Sequence, residues 1–202
     1  MKKLLLATHN PAKKQELKEG FSSLLDRAGR ALPLLFLDDL HITADPEETG
    51  KTFLENAKLK AEYFAKLSGL PTVADDGGIE IDALGGEPGI HSKRWLGRDA
   101  TDQELIEHTL LRLKDIPLEK RTAHFRIVLY YLNPLTQQSF STSASLDGRI
   151  ALQVGPNAKK GFPYRSLFIV DAYKKYYDEL TEQEHHTVNH RLQAVQKIIE
   201  HL

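Results

Sequence analysis

The stretch Lys3-Leu4-Leu5-Leu6-Ala7-Thr8-His9-Asn10-Pro11-Ala12-Lys13-Lys14 decides how the fold is read. Lys3–Thr8 is a short apolar run, the signature of a buried strand. His9-Asn10-Pro11 breaks it. Asn10 suits a helix N-cap, and Pro11, whose φ is already fixed, suits the first helical position. Leu17, Phe21, Leu24 and Leu25 then recur at helical spacing. The chain therefore opens strand, turn, helix.

Outward from that opening, Leu34–Leu37 is a second strand candidate and Leu40–Gly50 a polar, acidic loop. Thr52 and Glu55 have capping-box spacing. Phe53, Ala57, Ala61, Phe64 and Ala65 line one face of the helix that follows, and Ser68-Gly69-Leu70-Pro71 stops it. Thr72–Ala74 reads as a strand running into Asp75-Asp76-Gly77-Gly78, with Ile79 and Ile81 continuing it in alternation. Gly85-Gly86 and Pro88-Gly89 read as turns. Thr101 with Glu104 opens another helix, carrying Leu105, Ile106, Thr109, Leu110 and Leu113. Thr122–Leu132 alternates around Phe125, Ile127, Leu129 and Tyr131 and reads as a strand. Phe140–Leu146 and, after Gly148, Arg149–Leu152 are two further strands, Gly155–Gly161 a loop, and Leu167–Val170 a last buried strand. Thr181 with Glu184 opens the final helix, with Val188, Leu192, Val195, Ile199 and Leu202 on one stripe. Strands cluster in the second half without strict alternation with helices. The fold class is therefore α/β, a long mixed central sheet flanked by helices and not a purely parallel one.

The 202 residues fit one domain spanning 1–202, and 41% hydrophobic with 27% charged residues is ordinary for a globular chain. The chain has no cysteine, which excludes a disulfide framework, a Cys-ligated zinc finger, an iron–sulfur cluster and a thiol nucleophile. Lys plus Arg number 27 and Asp plus Glu 28, for a net charge of −1. That balance argues against a nucleic-acid partner, because duplex-binding domains carry a basic excess. No apolar run reaches the ~20 residues of a membrane span. The run after Met1-Lys2-Lys3 is too short for an export signal, so a cytoplasmic location is expected.

Five segments could carry chemistry. Thr8–Lys14 puts a helix N-terminus, with its free N–H groups and positive dipole end, beside two lysines, which is an anion site in waiting; the plainer reading is a capped surface helix. Asp75-Asp76-Gly77-Gly78 pairs two carboxylates of the kind that hold Mg²⁺ with substrate phosphates, or else forms a turn. Glu48, in Pro46-Glu47-Glu48-Thr49-Gly50, joins that set only if it lies near Asp76. Gly161-Phe162-Pro163-Tyr164-Arg165 offers aromatic rings to a base, or tucks them onto the core. His185-His186-Thr187-Val188-Asn189-His190-Arg191 places His186 and His190 at zinc-ligand spacing, but Thr187 stands where a zincin has Glu; donation from His190 and Arg191 to a polar ligand is the better reading.

Taken together, these motifs resemble the inosine triphosphate pyrophosphatase family. The pieces are Ala7-Thr8-His9-Asn10 with Lys13 and Glu16, then Glu48-Thr49-Gly50 with Thr52-Phe53-Leu54-Glu55-Asn56-Ala57 and Lys60. Ala74-Asp75-Asp76-Gly77-Gly78, Leu84-Gly85-Gly86-Glu87-Pro88-Gly89-Ile90 and His190-Arg191 complete them, in family order over nearly the whole chain. The resemblance implies a two-lobed fold, a homodimer, and Mg²⁺-dependent hydrolysis of ITP, dITP and XTP to the monophosphate and pyrophosphate, which clears deaminated purines from the nucleotide pool. It implies that Thr8, His9, Asn10, Lys13 and Lys60 hold the triphosphate. Glu48 and Asp76 would bind Mg²⁺, Asp76 would also act as general base, and Asp75 would support them. Gly77, Phe162, Tyr164, Arg165, His185, His190 and Arg191 would meet the rest of the nucleotide. Such chemistry needs charge neutralisation and a positioned water more than a special nucleophile.

Five positions depart from the family pattern. Gly77 stands for a serine, Pro163 for a glycine, Arg165 for an aspartate, His185 for a lysine and Asn189 for a serine. They cluster on the nucleoside side, so base selectivity is expected to shift while triphosphate hydrolysis survives. The alternative expectation is a nucleotide-binding protein of the same fold with little catalysis.

Overall fold

The computed structural model describes residues 3–25 and 28–202; Met1 and Lys2 of the amino-terminal basic segment lie outside it. The strands are β1 (Leu4–Ala7), β2 (Leu34–Phe36), β3 (Thr72–Ile81), β4 (Thr122–Leu132), β5 (Ser139–Ile150), β6 (Phe168–Val170) and β7 (Lys175–Tyr176). The helices are α1 (Pro11–Phe21), α2 (Phe53–Ser68), α3 (Asp102–Arg112), α4 (Glu182–Val188) and α5 (His190–Ile199). The strands form one sheet in the order β2-β1-β3-β4-β5-β6-β7. β1 pairs parallel with β2 and β3, whereas β5–β6 and β6–β7 are antiparallel, so the sheet is mixed as expected. Among the described residues no helix is long and apolar enough to cross a membrane.

The chain divides into two compact units. The first comprises Met1–Asp76, Ile127–Ala144 and His190–Leu202. On one side of its sheet, Leu4, Leu6, Leu17, Phe21, Val73, Leu129 and Val195 pack together; on the other, Leu5, Ala7, Ala61, Phe64 and Ala74 do. Alternate residues of β1 thus feed opposite layers, as strand geometry requires. The second unit, Gly77–Arg126 and Ser145–Asn189, has its own core around Ile79, Ile81, Leu113, Phe168 and Tyr177.

Local chemistry sets the helix ends. Asn10 caps α1 by accepting from the Lys13 N–H at 3.3 Å. Thr101 and Glu104 bond reciprocally as a capping box at α3, and Thr181 and Glu184 do so at α4. Thr52 caps α2, but the Glu55 carboxylate reaches back to the Lys51 N–H and not to that of Thr52.

One alternative falls away and two expectations are corrected. Asp75–Gly78 is no turn: β3 runs through it unbroken, and neither Gly77 nor Gly78 has a positive φ. Gly78 is needed for close approach, since a Cβ there would stand 2.5 Å from the Gly89 carbonyl oxygen. The two strands read on either side of Gly148 are one strand, β5; Gly148 pairs with Val170, and a Cβ would come within 2.5 Å of the Phe168 ring. The last helix is two helices. Asn189, a residue type that competes with helical hydrogen bonding, takes ψ 100 and ends α4. His186 and His190 therefore sit on different helices, and the zinc spacing dissolves.

Candidate active site

The turn after β1 is built by nested side-chain bonds. Thr8, buried at the strand end, accepts from the Asn10 N–H at 3.3 Å, and Asn10 in turn caps α1. This leaves Lys13 and Lys14 on the first turn of the helix. The Lys13 ammonium lies 2.7 Å from Asp75, and Lys14 pairs with Asp38 at 2.5 Å. His9 stands between Asp38 and Asp45, at 4.0 and 3.7 Å.

β3 supplies two carboxylates from adjacent positions, and both are buried. α2 brings its polar partners on one helical stripe, Asn56 and Lys60, four residues apart. The Lys60 ammonium lies 2.9 Å from Asp76 and 3.0 Å from Glu48, so the two carboxylates converge on one cation. Asn56 donates to the second Asp76 oxygen at 3.3 Å while accepting from the Gly50 N–H at 2.9 Å, which ties the loop bearing Glu48 to the same point. From the start of α5, Arg191 donates to Glu16 and comes within 4.0 Å of Asp75.

The electrostatics separate the two aspartates. Burial acts to raise Asp75, but the charges of Lys13, Arg191 and Lys60 overcome it and hold the carboxyl down at about 2. Burial pushes Asp76 above the ordinary carboxylate value, and the shared Lys60 pulls it back only part of the way. Burial works against the Lys60 ammonium too, yet Asp76, Asp75 and Glu48 together keep it above its usual value. One lysine divided between carboxylates is firmly charged, while Asp76 receives a fraction of its compensation. Asp76 is accordingly the more basic of the pair.

A divalent cation fits this donor set. Among the described residues, the ion pairs of this cluster join four cations (Lys13, Lys14, Lys60, Arg191) to five carboxylates (Glu16, Asp38, Glu48, Asp75, Asp76). Lys60 already shows that Glu48 and Asp76 can share one positive ion. No cluster of three or more His, Asp or Glu side chains suited to a metal is present among the described residues. Two carboxylates are what Mg²⁺ commonly takes when phosphate oxygens complete its shell.

The second unit holds its own polar–aromatic cluster. The Arg165 guanidinium lies over the Phe162 ring at 3.9 Å and over the Tyr177 ring at 4.7 Å. The Tyr177 hydroxyl and His185 Nε2 are 3.0 Å apart. Tyr164 is buried, its hydroxyl donating to the Ser92 carbonyl at 2.6 Å, and burial pushes its phenol up.

The model of the Ham1 family matches residues 4–201. The chain belongs to the Ham1 family. Among Ham1 relatives, the dITP/XTP pyrophosphatase of Yersinia pestis is 42% identical over the whole of this chain and 98% of its own length, and that of Shigella flexneri 41% over the same shares. A solved HAM1 protein from Coxiella burnetii superposes with a TM-score of 0.85 at 31% identity, covering 99% of this chain and 98% of its own. The family relationship expected from the motifs stands.

Within this Ham1 chain, Thr8, His9, Asn10, Lys13, Glu48, Lys60, Asp76, His190 and Arg191 belong to the first unit, where ion pairs join Lys13 to Asp75, Lys60 to Glu48 and Asp76, and Arg191 to Asp75. The second carries Gly77, Phe162, Tyr164, Arg165 and His185. Arg191, expected to donate to the nucleotide, has Glu16 and Asp75 among its partners here. Tyr164 was expected against a base; it is a core residue whose hydroxyl is committed. One face of Phe162 is taken by Arg165. Asn56 lies within the quoted motif but was given no role; the signal was an amide beside the apolar stripe of α2, one turn before Lys60. Tyr177 gave no signal in the sequence.

Proposed function

We propose that this chain is a Mg²⁺-dependent nucleoside triphosphate pyrophosphatase that hydrolyses the deaminated purine nucleotides ITP, dITP and XTP to the monophosphate and pyrophosphate. The observation that carries the proposal is Lys60 held between Glu48 and Asp76 beside the Lys13–Asp75 pair. Relatives about 40% identical over their full length are dITP/XTP pyrophosphatases. The free N–H groups at the start of α1, together with Lys13 and Lys60, bind phosphate oxygens. Glu48 and Asp76 would hold Mg²⁺, which neutralises charge on the triphosphate when bound. Asp76, its basicity raised by burial, takes the proton of the attacking water; the bond to the pyrophosphate leaving group breaks as the new phosphorus–oxygen bond forms. Asp75 stays ionised between Lys13 and Arg191 and keeps both cations in place.

The working form is a homodimer in the cytoplasm, cleaning the nucleotide pool. Pyrophosphate release measured with Mg²⁺ across ITP, dITP, XTP, ATP, GTP and a pyrimidine triphosphate tests the reading. Fast release from the deaminated purines is expected, with loss of turnover in EDTA. Saturable binding with no release from any of them would replace it with the nucleotide-binding alternative.

A further inference from the structure

We propose that Lys60 is an exchangeable cation, seated between Glu48 and Asp76 until Mg²⁺ takes that seat, and then released to the phosphates of the nucleotide. The inference rests on the pyrophosphatase reading above and adds the order in which one lysine serves two partners. The Lys60 ammonium lies 3.0 Å from Glu48 Oε1 and 2.9 Å from Asp76 Oδ1. Its side chain is 12% exposed and that of Asp76 11%, so the contact is shielded from water. An ammonium that bridges two carboxylates marks the point where both can share one ion.

The rest of Asp76 is already committed. Its other oxygen, Oδ2, accepts from the Asn56 amide at 3.3 Å, and Asn56 is itself held by the Gly50 N–H at 2.9 Å. The oxygen facing Lys60 is therefore the one that a cation shared with Glu48 meets. Two cations crowded on one shielded oxygen repel each other, and more strongly as water is excluded. Lys60 and Mg²⁺ thus exclude each other at this point. Neither leaves without a replacement, because two carboxylates left facing one another would carry uncompensated buried charge.

The lysine stem makes the exchange possible without moving the fold. Lys60 lies inside α2, and its ammonium rides on a flexible four-carbon chain that swings while the helix stays. The neighbouring cations are placed differently: Lys13 pairs with Asp75, which Arg191 also approaches, and Lys14 pairs with Asp38. Once displaced, the Lys60 ammonium finds a new anionic partner in a phosphate oxygen. Metal entry and triphosphate binding therefore favour each other through this one side chain.

The test is Mg²⁺ alone, titrated into the nucleotide-free protein and followed by calorimetry and thermal melting. Lys60→Met is expected to bind Mg²⁺ about 10- to 150-fold more tightly than the wild type, the range for removing one competing hydrogen bond between charged groups. Its melting temperature should be lower without Mg²⁺ and should rise more on adding the ion than that of the wild type. Lys60→Arg keeps a cation on the seat and should bind Mg²⁺ no more tightly than the wild type. Lys60→Gln serves if the methionine variant misfolds. Lys14→Met removes a nearby charge without touching the seat, and should change Mg²⁺ affinity only a few-fold. An affinity unchanged or weakened in Lys60→Met, or raised equally in Lys14→Met, overturns the exchange while leaving the pyrophosphatase reading intact. A wild type that releases no pyrophosphate from ITP overturns that reading, and with it the passage of Lys60 to the phosphates.

Discussion

Asn56 shows how much one buried amide can organise. It is 2% exposed and links the loop N–H of Gly50 to an oxygen of Asp76. Asn56→Ala strands both partners, and stranding a buried polar group costs about 1–3 kcal/mol. Urea denaturation should show a loss of that size, with a fall in pyrophosphatase turnover as Asp76 loses its orienting bond. A loss below about 0.5 kcal/mol would mean that these bonds are not made. His124, in the second unit, makes a pH prediction. It lies 2.8 Å from Asp147 and 3.3 Å from Asp82. Burial acts to lower its pKa, but the two carboxylates prevail and raise it above the ordinary imidazole value. A raised folded-state pKa means stability that is fully present below the unfolded value of about 6.5 and lost as pH rises through the folded value. The stability advantage of the wild type over His124→Gln should therefore shrink as pH climbs from about 6 to alkaline values. An advantage that grows with pH would reverse the assignment. Arg191 and Glu16 mark the limit of the sequence at this scale: they are 175 positions apart, and nothing local announces their pairing.

Among elements, the helix starts were the most legible part of the chain. Caps are satisfied within three or four residues, so Asn10, Thr52, Thr101 and Thr181 could be read directly. Thr101→Ala removes the capping box of α3 and should cost about 1 kcal/mol in a thermal or urea melt. A neutral result would show that α3 is held by packing alone. Strand continuity was less legible, because it is decided by contacts from elsewhere in the chain. β3 passes through two glycines on account of the Gly89 carbonyl beside Gly78, and β5 passes through Gly148 on account of Phe168. Gly78→Ala should destabilise by about 1–3 kcal/mol, as overpacking does, although no left-handed backbone is involved. The break at Asn189 belongs to the same class. Periodicity ran through it, and only the backbone at ψ 100 reveals two helices.

At the scale of the whole molecule, the α/β class and the mixed sheet followed from where apolar runs fall along the chain. The site followed from motif order: Glu48, Lys60 and Asp76 are separated by 12 and 16 residues, and only their family pattern tied them together before the geometry did. The aromatic cluster of the second unit was the least legible, because Arg165 stacks on Tyr177, far along the chain and outside every motif. Asp76, the buried carboxylate that shares Lys60, is proposed as the base for triphosphate hydrolysis. The most direct measurement compares kcat for pyrophosphate release from ITP with Mg²⁺ between wild type and Asp76→Asn, with circular dichroism to confirm an intact fold. A loss of about 10²–10⁴-fold with the fold unchanged is expected. A folded Asp76→Asn protein that keeps wild-type turnover would contradict it.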